Sequence, residues 1–93
     1  MSYTLVLTPR AAKELAKLKK SGQKNLVSKV ADLMDELIAD PRVGTGRPER
    51  LKHYPDGEIW SRRLDKKNRV VYEIRDEEII VLLLSLTGHY DDK

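Results

Sequence analysis

Residues 58–86, EIWSRRLDKKNRVVYEIRDEEIIVLLLSL, contain most of the predicted β-sheet. They contain three stretches of strand-forming residues, 58–64, 69–75 and 79–86, which are separated by short charged turns. Strands joined by turns of this length predict an antiparallel meander, which a short strand at 50–53 is expected to extend. The last stretch is apolar on both faces, so we expect that strand to be central in the sheet or covered by helices.

The residues before this segment predict one strand and two helices. Residues 3–8 alternate in the pattern of a half-buried strand, and Thr8-Pro9 is typical of a helix N-cap followed by proline at the first helical position. Ser21-Gly22 breaks this first helix, and a second helix with a 3.6-residue apolar period runs over 23–39 until Asp40-Pro41 ends it. We therefore expect an α+β fold: an N-terminal strand and a two-helix hairpin packed on an antiparallel sheet of four to five strands.

Length and composition indicate a single domain spanning residues 1–93. The chain is 35% charged and contains no cysteine, which excludes a disulfide framework and a thiolate metal site. His53 and His89 do not stand at a metal-ligand spacing from Asp56 or Asp91, so we expect no metal and no other cofactor. Without a basic leader or an apolar run long enough for a membrane span, we expect a cytoplasmic protein with no membrane partner.

Positive charge is concentrated in residues 42–69. This span holds nine Lys and Arg against four Asp and Glu, a net charge of +5, whereas the whole chain has a net charge of +3. Focused positive charge favours a polyanionic partner such as RNA. The helices carry further lysines, for which a solvated helix face is the alternative to a second RNA-contacting face. These lysines are Lys13, Lys17, Lys19, Lys20, Lys24 and Lys29.

The basic span and the end of the chain contain residues suited to cleaving RNA without a metal. That reaction needs a base for the 2′-hydroxyl proton, cations around the scissile phosphate and an acid for the leaving 5′-oxygen. Glu49 is the candidate base, and His89, with an intrinsic pKa near neutrality, is the candidate acid. Arg63 and Arg69 bracket a predicted tight turn and are candidates for binding one phosphate. Tyr90 is the candidate for stacking on a base.

Each candidate also has a purely structural interpretation. Glu49 can be a surface carboxylate paired with a nearby arginine, and His89 can be an inert residue near the chain end. Arg62 and the neighbouring arginines can simply be solvent-exposed residues on one face of a strand. Their density nevertheless favours anion binding, which makes Arg62 a further substrate-binding candidate. Trp60 is expected in the core. The Gly-rich loop 42–48 resembles a phosphate-cradling turn only superficially, because it lacks the P-loop pattern.

Four motifs follow one another along the second half of the chain. They are GRPERLKH at 46–53, WSRR at 60–63, RVVY at 69–72 and the terminal dipeptide His89-Tyr90. In this order and at this spacing they closely resemble the YoeB/Txe toxins, which belong to the RelE/ParE superfamily of bacterial toxin–antitoxin modules. The order of the predicted elements is similar to that family along the whole chain, which implies a RelE-like fold.

The resemblance implies a ribosome-dependent mRNA endonuclease that cuts the codon in the A site and is inhibited by a cognate YefM/Axe-like antitoxin. It also makes a homodimer plausible, since relatives can dimerise. Glu49 matches the general base of the family and Arg69 its phosphate-stabilising arginine. His89 matches the general acid, and Tyr90 matches the aromatic residue that helps to position the substrate. The residues that match further RNA-contacting positions are Lys52, His53 and Arg63.

Two features depart from the family pattern. Lys67 stands where some relatives carry an acidic residue, and the chain continues past Tyr90 with Asp91-Asp92-Lys93. The two extra carboxylates are expected to raise the pKa of His89 and also to repel a phosphate. The alternative function is binding without catalysis, either as a ParE-like gyrase-targeting toxin or as a small RNA-binding module. ParE-type proteins generally lack the set of base, arginine and acid that the motifs match in this chain.

Overall fold

The computed structural model describes residues 2–88. Its elements follow the order expected from the sequence, with a strand and two helices preceding the strands of a meander. They are β1 (Thr4–Leu7), α1 (Pro9–Lys20), α2 (Lys24–Ala39), β2 (Glu49–Arg50), β3 (Glu58–Arg63), β4 (Arg69–Arg75) and β5 (Ile80–Ser85). A single 3₁₀ turn, Asp76–Glu78, connects β4 to β5.

The five strands form one sheet in the order β1-β5-β4-β3-β2. Strands β2 to β5 pair antiparallel, as expected of a meander, but β1 pairs in parallel with β5, with Thr4 opposite Ile80 and Leu7 opposite Leu83. The expected antiparallel sheet is thus confirmed for four strands, and the parallel edge strand β1 makes the five-stranded sheet mixed. The alternation of residues in β1 indicates which side chains face the core. It does not indicate whether the neighbouring strand runs parallel or antiparallel, because that depends on the path of the chain through the two helices.

Both helices pack on one face of the sheet and build the core with β4 and β5. Helix α1 begins as expected, with the Thr8 side-chain oxygen accepting the Ala11 N–H at 3.2 Å and Pro9 at the first position. Within residues 2–88 neither helix has the length and apolar character of a membrane span. The buried core residues of the helices and of these two strands are Ala11, Leu18, Leu26, Val30, Leu33, Leu37, Val70, Tyr72, Ile74, Val81 and Leu83.

The opposite face of the sheet, which neither helix covers, is called the uncovered face below. Side chains alternate along a strand, so neighbouring residues of β3 point to opposite faces. Arg62 faces the helices and is fully buried, whereas Arg63 lies on the uncovered face and is exposed. Trp60 also faces the helices and packs against the core, as expected. At the end of β3, Arg62 therefore belongs to the core, whereas Arg63 can meet a ligand.

Candidate active site

Glu49 and Arg69 lie side by side on the uncovered face. The pairing of β2 with β3 places Glu49 opposite Ser61, and the pairing of β3 with β4 places Arg63 opposite Arg69. Nη1 of Arg69 is 3.9 Å from Oε1 of Glu49, and it donates a hydrogen bond of 3.4 Å to Oγ of Ser61. A carboxylate and a guanidinium from different strands therefore share one surface.

Both groups remain accessible to a ligand. The Glu49 side chain is 67% exposed and the Arg69 side chain 33% exposed. An ion pair at this distance and exposure contributes only about 0–1 kcal/mol to stability. The sheet does not depend on the pair, and both side chains are free to act on a bound molecule.

The end of the chain returns to Arg69. The Arg69 backbone N–H donates to the Gly88 carbonyl oxygen at 3.1 Å, and Oδ1 of Asn68 accepts the Gly88 N–H at 2.8 Å. His89 and Tyr90, the candidate acid and the candidate stacking residue, lie outside the described residues. Gly88 directly precedes His89 in the sequence. The residue before the His-Tyr dipeptide is therefore bound to Arg69, whose side chain is the candidate phosphate-binding group.

The remaining substrate-binding candidates divide into two groups. Arg63 is exposed at the end of β3, and strand pairing places it beside Arg69. Lys52 and His53 are exposed in the turn that follows β2. Leu51, which precedes them, is buried and donates its N–H to the carbonyl oxygen of β3 residue Ile59 at 2.8 Å. The start of this turn is therefore fixed to the sheet, and its exposed side chains lie a few residues after Glu49 along the chain.

Arg62 is not available to a substrate, which corrects the expectation that it binds RNA. The residue is 0% exposed. Its Nη2 donates to the carbonyl oxygens of Val43 at 2.7 Å and Pro41 at 3.1 Å, its Nη1 to Oε1 of Glu36 at 2.8 Å, and its Nε to the Tyr72 hydroxyl at 3.0 Å. The number of arginines in a segment does not show which of them point inward. The alternation of side chains along β3 directs Arg62 into the interior of the protein.

Arg62 and Glu36, here called the arginine clamp, hold the Gly-rich loop that leads to Glu49. Glu36 accepts hydrogen bonds from the Thr45 N–H at 2.8 Å and the Thr45 hydroxyl at 2.9 Å. Burial opposes ionisation of Glu36, but hydrogen bonds from Thr45 and the Arg62 charge outweigh it and hold the pKa of this carboxyl below its usual value. Sequence reasoning missed Glu36, because nothing in the helix pattern distinguishes it from a solvated carboxylate. The loop is thus held from inside the protein by Arg62 and Glu36.

Close packing of the Gly-rich loop against the backbone of β3 explains the glycine at position 46 and predicts the effect of replacing it. Gly46 has a φ of +81°, and a Cβ there would lie 2.6 Å from the Arg63 carbonyl oxygen. Gly46→Ala is therefore expected to lower the free energy of unfolding by about 2 kcal/mol or more, because backbone strain and overlap add. Gly22→Ala is the matched control, since Gly22 has a φ of +73° with nothing within 4 Å of the added carbon. Equal urea-unfolding curves for the two variants would contradict a tight contact at Gly46.

The charge around the site suits an anion. Of the nine Lys and Arg between 42 and 69, three form ion pairs with carboxylates, and the other six are exposed without a salt bridge in residues 2–88. Those six are Arg47, Arg50, Lys52, Arg63, Lys66 and Lys67. In the same described range, no three His, Cys, Asp or Glu side chains lie close enough together to hold a metal ion. The surface therefore offers cations that can bind phosphate oxygens and a carboxylate that can accept a proton.

The family model for the YoeB-like toxin of the bacterial type II toxin-antitoxin system matches residues 8–90. The chain belongs to the YoeB family. It is 36% identical over 58 residues to Toxin YoeB of Escherichia coli strain K12, which covers 62% of this chain and 68% of that protein. It is 37% identical over 67 residues to Toxin YoeB of a Synechocystis species, which covers 72% of this chain and 74% of that protein.

Solved YoeB structures resemble this chain over nearly its full length. The YoeB/ParE toxin from Agrobacterium tumefaciens superposes with a TM-score of 0.84 at 28% identity, covering 94% of this chain and 99% of that one. The YoeB dimer from Staphylococcus aureus superposes with a TM-score of 0.81 at 25% identity, covering 97% and 100%. A YoeB-YefM heterotetramer from the same organism gives a TM-score of 0.78 at 25% identity, with the same coverage. The resemblance to YoeB/RelE toxins and the α+β fold are thereby confirmed.

Proposed function

We propose that this YoeB-family toxin is a ribosome-dependent endonuclease that cuts mRNA at the codon in the A site by acid and base catalysis. The observation that carries the proposal is that Arg69 contacts both Glu49 and Gly88, the residue that precedes His89. Glu49 lies 3.9 Å from the Arg69 guanidinium, and the Arg69 N–H binds the Gly88 carbonyl oxygen at 3.1 Å, directly before His89. In this proposal a base, a cation and an acid act on one phosphate.

The proposed reaction assigns one step to each group. Glu49 takes the proton of the 2′-hydroxyl, whose oxygen attacks the neighbouring phosphorus. Arg69, helped by Arg63 from the facing strand, balances the negative charge that builds on the phosphate oxygens. His89 donates a proton to the 5′-oxygen as its bond to phosphorus breaks. The products are a 2′,3′-cyclic phosphate and a free 5′-hydroxyl.

Other residues of the site bind the RNA in this proposal. Tyr90 stacks on a base, because base stacking on aromatic side chains is sequence-tolerant and needs no paired partner. Lys52 and His53 extend the contact beyond the reacting phosphate, since they are exposed in the turn directly after Glu49. The exposed cations around them attract the phosphate backbone.

The proposal includes an antitoxin, a homodimer and action in the cytoplasm, where ribosomes are found. The Staphylococcus aureus YoeB has been solved both as a dimer and with YefM. A YefM/Axe-like antitoxin segment that is acidic and disordered when free would complement the exposed cations of this chain. Adding the cognate antitoxin to a cleavage reaction is expected to stop it, and continued cleavage with bound antitoxin would contradict this part of the proposal.

The test of the catalytic proposal is a translation reaction with end-labelled mRNA. Wild-type protein and His89→Ala are compared, with a parallel reaction that contains the same mRNA but no ribosomes. Cuts at codon spacing that need ribosomes and disappear with His89→Ala are expected. Cuts in naked RNA would contradict ribosome dependence and indicate a general ribonuclease. Intact mRNA throughout would contradict cleavage altogether and favour binding without catalysis, with DNA gyrase and RNA affinity as the next measurements.

A further inference from the structure

Three consecutive backbone amides after β5 are bound by side chains rather than by a neighbouring strand. Oε1 of Glu14 accepts the N–H of Leu86 at 2.7 Å and the N–H of Thr87 at 3.2 Å. Oδ1 of Asn68 accepts the N–H of Gly88 at 2.8 Å. Strand β5 ends at Ser85, so this segment has left the sheet ladder. Side chains from two other parts of the fold therefore determine its course.

Glu14 is a well-held acceptor on α1. Its side chain is 19% exposed, and Oε2 accepts a 3.1 Å hydrogen bond from Nε of Arg10. Burial opposes ionisation, but hydrogen bonds from Leu86, Arg10 and Thr87 outweigh it and hold the pKa of Glu14 below its usual value. A charged acceptor forms stronger hydrogen bonds than a neutral one, so the carboxylate is an effective anchor for both amides.

Helix α1 is attached to the end of β5 at a second point. The Thr8 hydroxyl lies within hydrogen-bonding distance of the carbonyl oxygens of Leu83 at 2.9 Å and Leu84 at 3.1 Å. The Thr8 N–H donates to the same Leu83 oxygen at 3.0 Å. Because the start of α1 is bound to the strand, the Glu14 carboxylate is held at a defined place beyond the strand end.

Asn68 is held just as closely on the turn between β3 and β4. The backbone N–H of Asn68 donates a 2.7 Å hydrogen bond to Oδ1 of Asp65, and its side-chain Nδ2 donates a 3.2 Å hydrogen bond to Oδ2 of Asp65. These bonds orient the side-chain amide, so that its oxygen is left to accept the Gly88 N–H. The next residue, Arg69, donates its own N–H to the Gly88 carbonyl oxygen. Both polar groups of the Gly88 backbone are thus bound, the N–H by Asn68 at the end of the turn and the carbonyl oxygen by Arg69, the first residue of β4.

We propose that Glu14 and Asn68 are positioning residues, which direct the chain into His89-Tyr90 so that the acid reaches the phosphate bound by Arg69. This inference rests on the proposed function. Chain ends that lack strand pairing are generally poorly ordered unless something ties them down. A displacement of about 1 Å in a reacting group is enough to reduce a catalysed rate by about 10²-fold. An anchor at three successive amides limits such displacement where the acid joins the fold.

The test compares Glu14→Ala with Glu14→Gln and with Asp32→Ala, an exposed carboxylate of α2 that serves as the charge-matched control. Glu14→Ala is expected to lower kcat for cleavage on programmed ribosomes by about 10²-fold, with little change in KM. Glu14→Gln is expected to restore most of the rate, because its amide oxygen still accepts the two N–H groups. Asp32→Ala is expected to cleave like the wild type. Wild-type cleavage by Glu14→Ala would overturn the inference.

A double-mutant cycle separates positioning from a general loss of stability. If Glu14 acts through His89, adding Glu14→Ala to His89→Ala causes no further loss of rate. Losses that multiply in the double variant would overturn the inference. The same outcomes are expected of Asn68→Ala, which removes the acceptor for Gly88. All variants are assayed at a temperature at which circular dichroism shows them folded.

NMR on the RNA-free protein keeps this inference distinct from the proposed function. In Glu14→Ala, faster exchange of the Leu86 and Thr87 amides and altered imidazole signals of His89 are expected, while Asp32→Ala leaves both unchanged. If the wild type does not cleave mRNA, the proposed function fails and these signals alone decide whether Glu14 anchors the segment. Unchanged His89 signals in Glu14→Ala would overturn the anchoring itself.

Discussion

Glu49→Gln is expected to cleave mRNA about 10²–10⁴-fold more slowly than the wild type, the range typical for loss of a positioned base. Glutamine has nearly the shape of glutamate but cannot take the proton of the 2′-hydroxyl. The fold should be unaffected, because the Glu49 side chain is 67% exposed and its contact with Arg69 is 3.9 Å long. The measurement is a single-turnover cleavage rate on programmed ribosomes, together with a thermal unfolding curve.

Glu77→Gln is the matched control for this experiment. Glu77 is an exposed carboxylate in the 3₁₀ turn between β4 and β5, outside the proposed site. Its variant is expected to cleave at the wild-type rate. If Glu49→Gln also cleaves near that rate, Glu49 is not the base. Its carboxylate would then be only a surface group paired with a nearby arginine.

Arg62→Met is expected to have the largest effect on stability, lowering the free energy of unfolding by about 3 kcal/mol or more. The guanidinium is fully buried, and its loss leaves the carbonyl oxygens of Val43 and Pro41 and the Tyr72 hydroxyl with fewer donors. Small domains have a total stability of only about 5–15 kcal/mol, so this loss is a large share. It should lower the Tm by more than about 10 °C, as measured by thermal unfolding.

The neighbouring variant Arg63→Met provides the opposite result. Arg63 is exposed on the uncovered face, and its substitution is expected to change stability by less than about 0.5 kcal/mol. Cleavage, however, should fall, because Arg63 stands opposite Arg69 at the proposed phosphate site. Arg62→Lys should remain destabilised, since an ammonium cannot reproduce the forked hydrogen bonds of the guanidinium. Equal Tm values for the Arg62 and Arg63 variants would contradict the clamp.

The exposed loops and strand ends were the parts of the fold that sequence patterns described least well. The short strand expected at 50–53 is β2, Glu49–Arg50, because the chain turns away from β3 after Leu51. The last strand begins at Ile80 rather than at 79, since Ile79 adopts a left-handed conformation with a φ of 54° at the end of the 3₁₀ turn. Such boundaries depend on how each segment meets its neighbours.

The candidate site was only partly predictable. The motifs singled out Glu49, Arg63 and Arg69, and strand pairing brings these three together on one face. His89 and Tyr90 stay predictions from the sequence, because they lie outside the described residues. The density of arginines in the basic span predicted that Arg62 binds the substrate, although that residue is buried. The identity of a residue does not show which face of the sheet its side chain points to. That face depends on the position of the residue within its strand, which was not known from the sequence.

Four features could be predicted from neighbouring residues: the cap at Thr8-Pro9, the break at Ser21-Gly22, the apolar periods of the helices and the span of β4. Each of these depends on the dihedral preferences or the burial pattern of adjacent residues. Three others became visible only in the folded domain: the parallel pairing of β1, the burial of Arg62 against Glu36, and the binding of Leu86 and Thr87 by Glu14. These contacts join residues that are distant in the chain, and packing of the whole domain determines which of them meet.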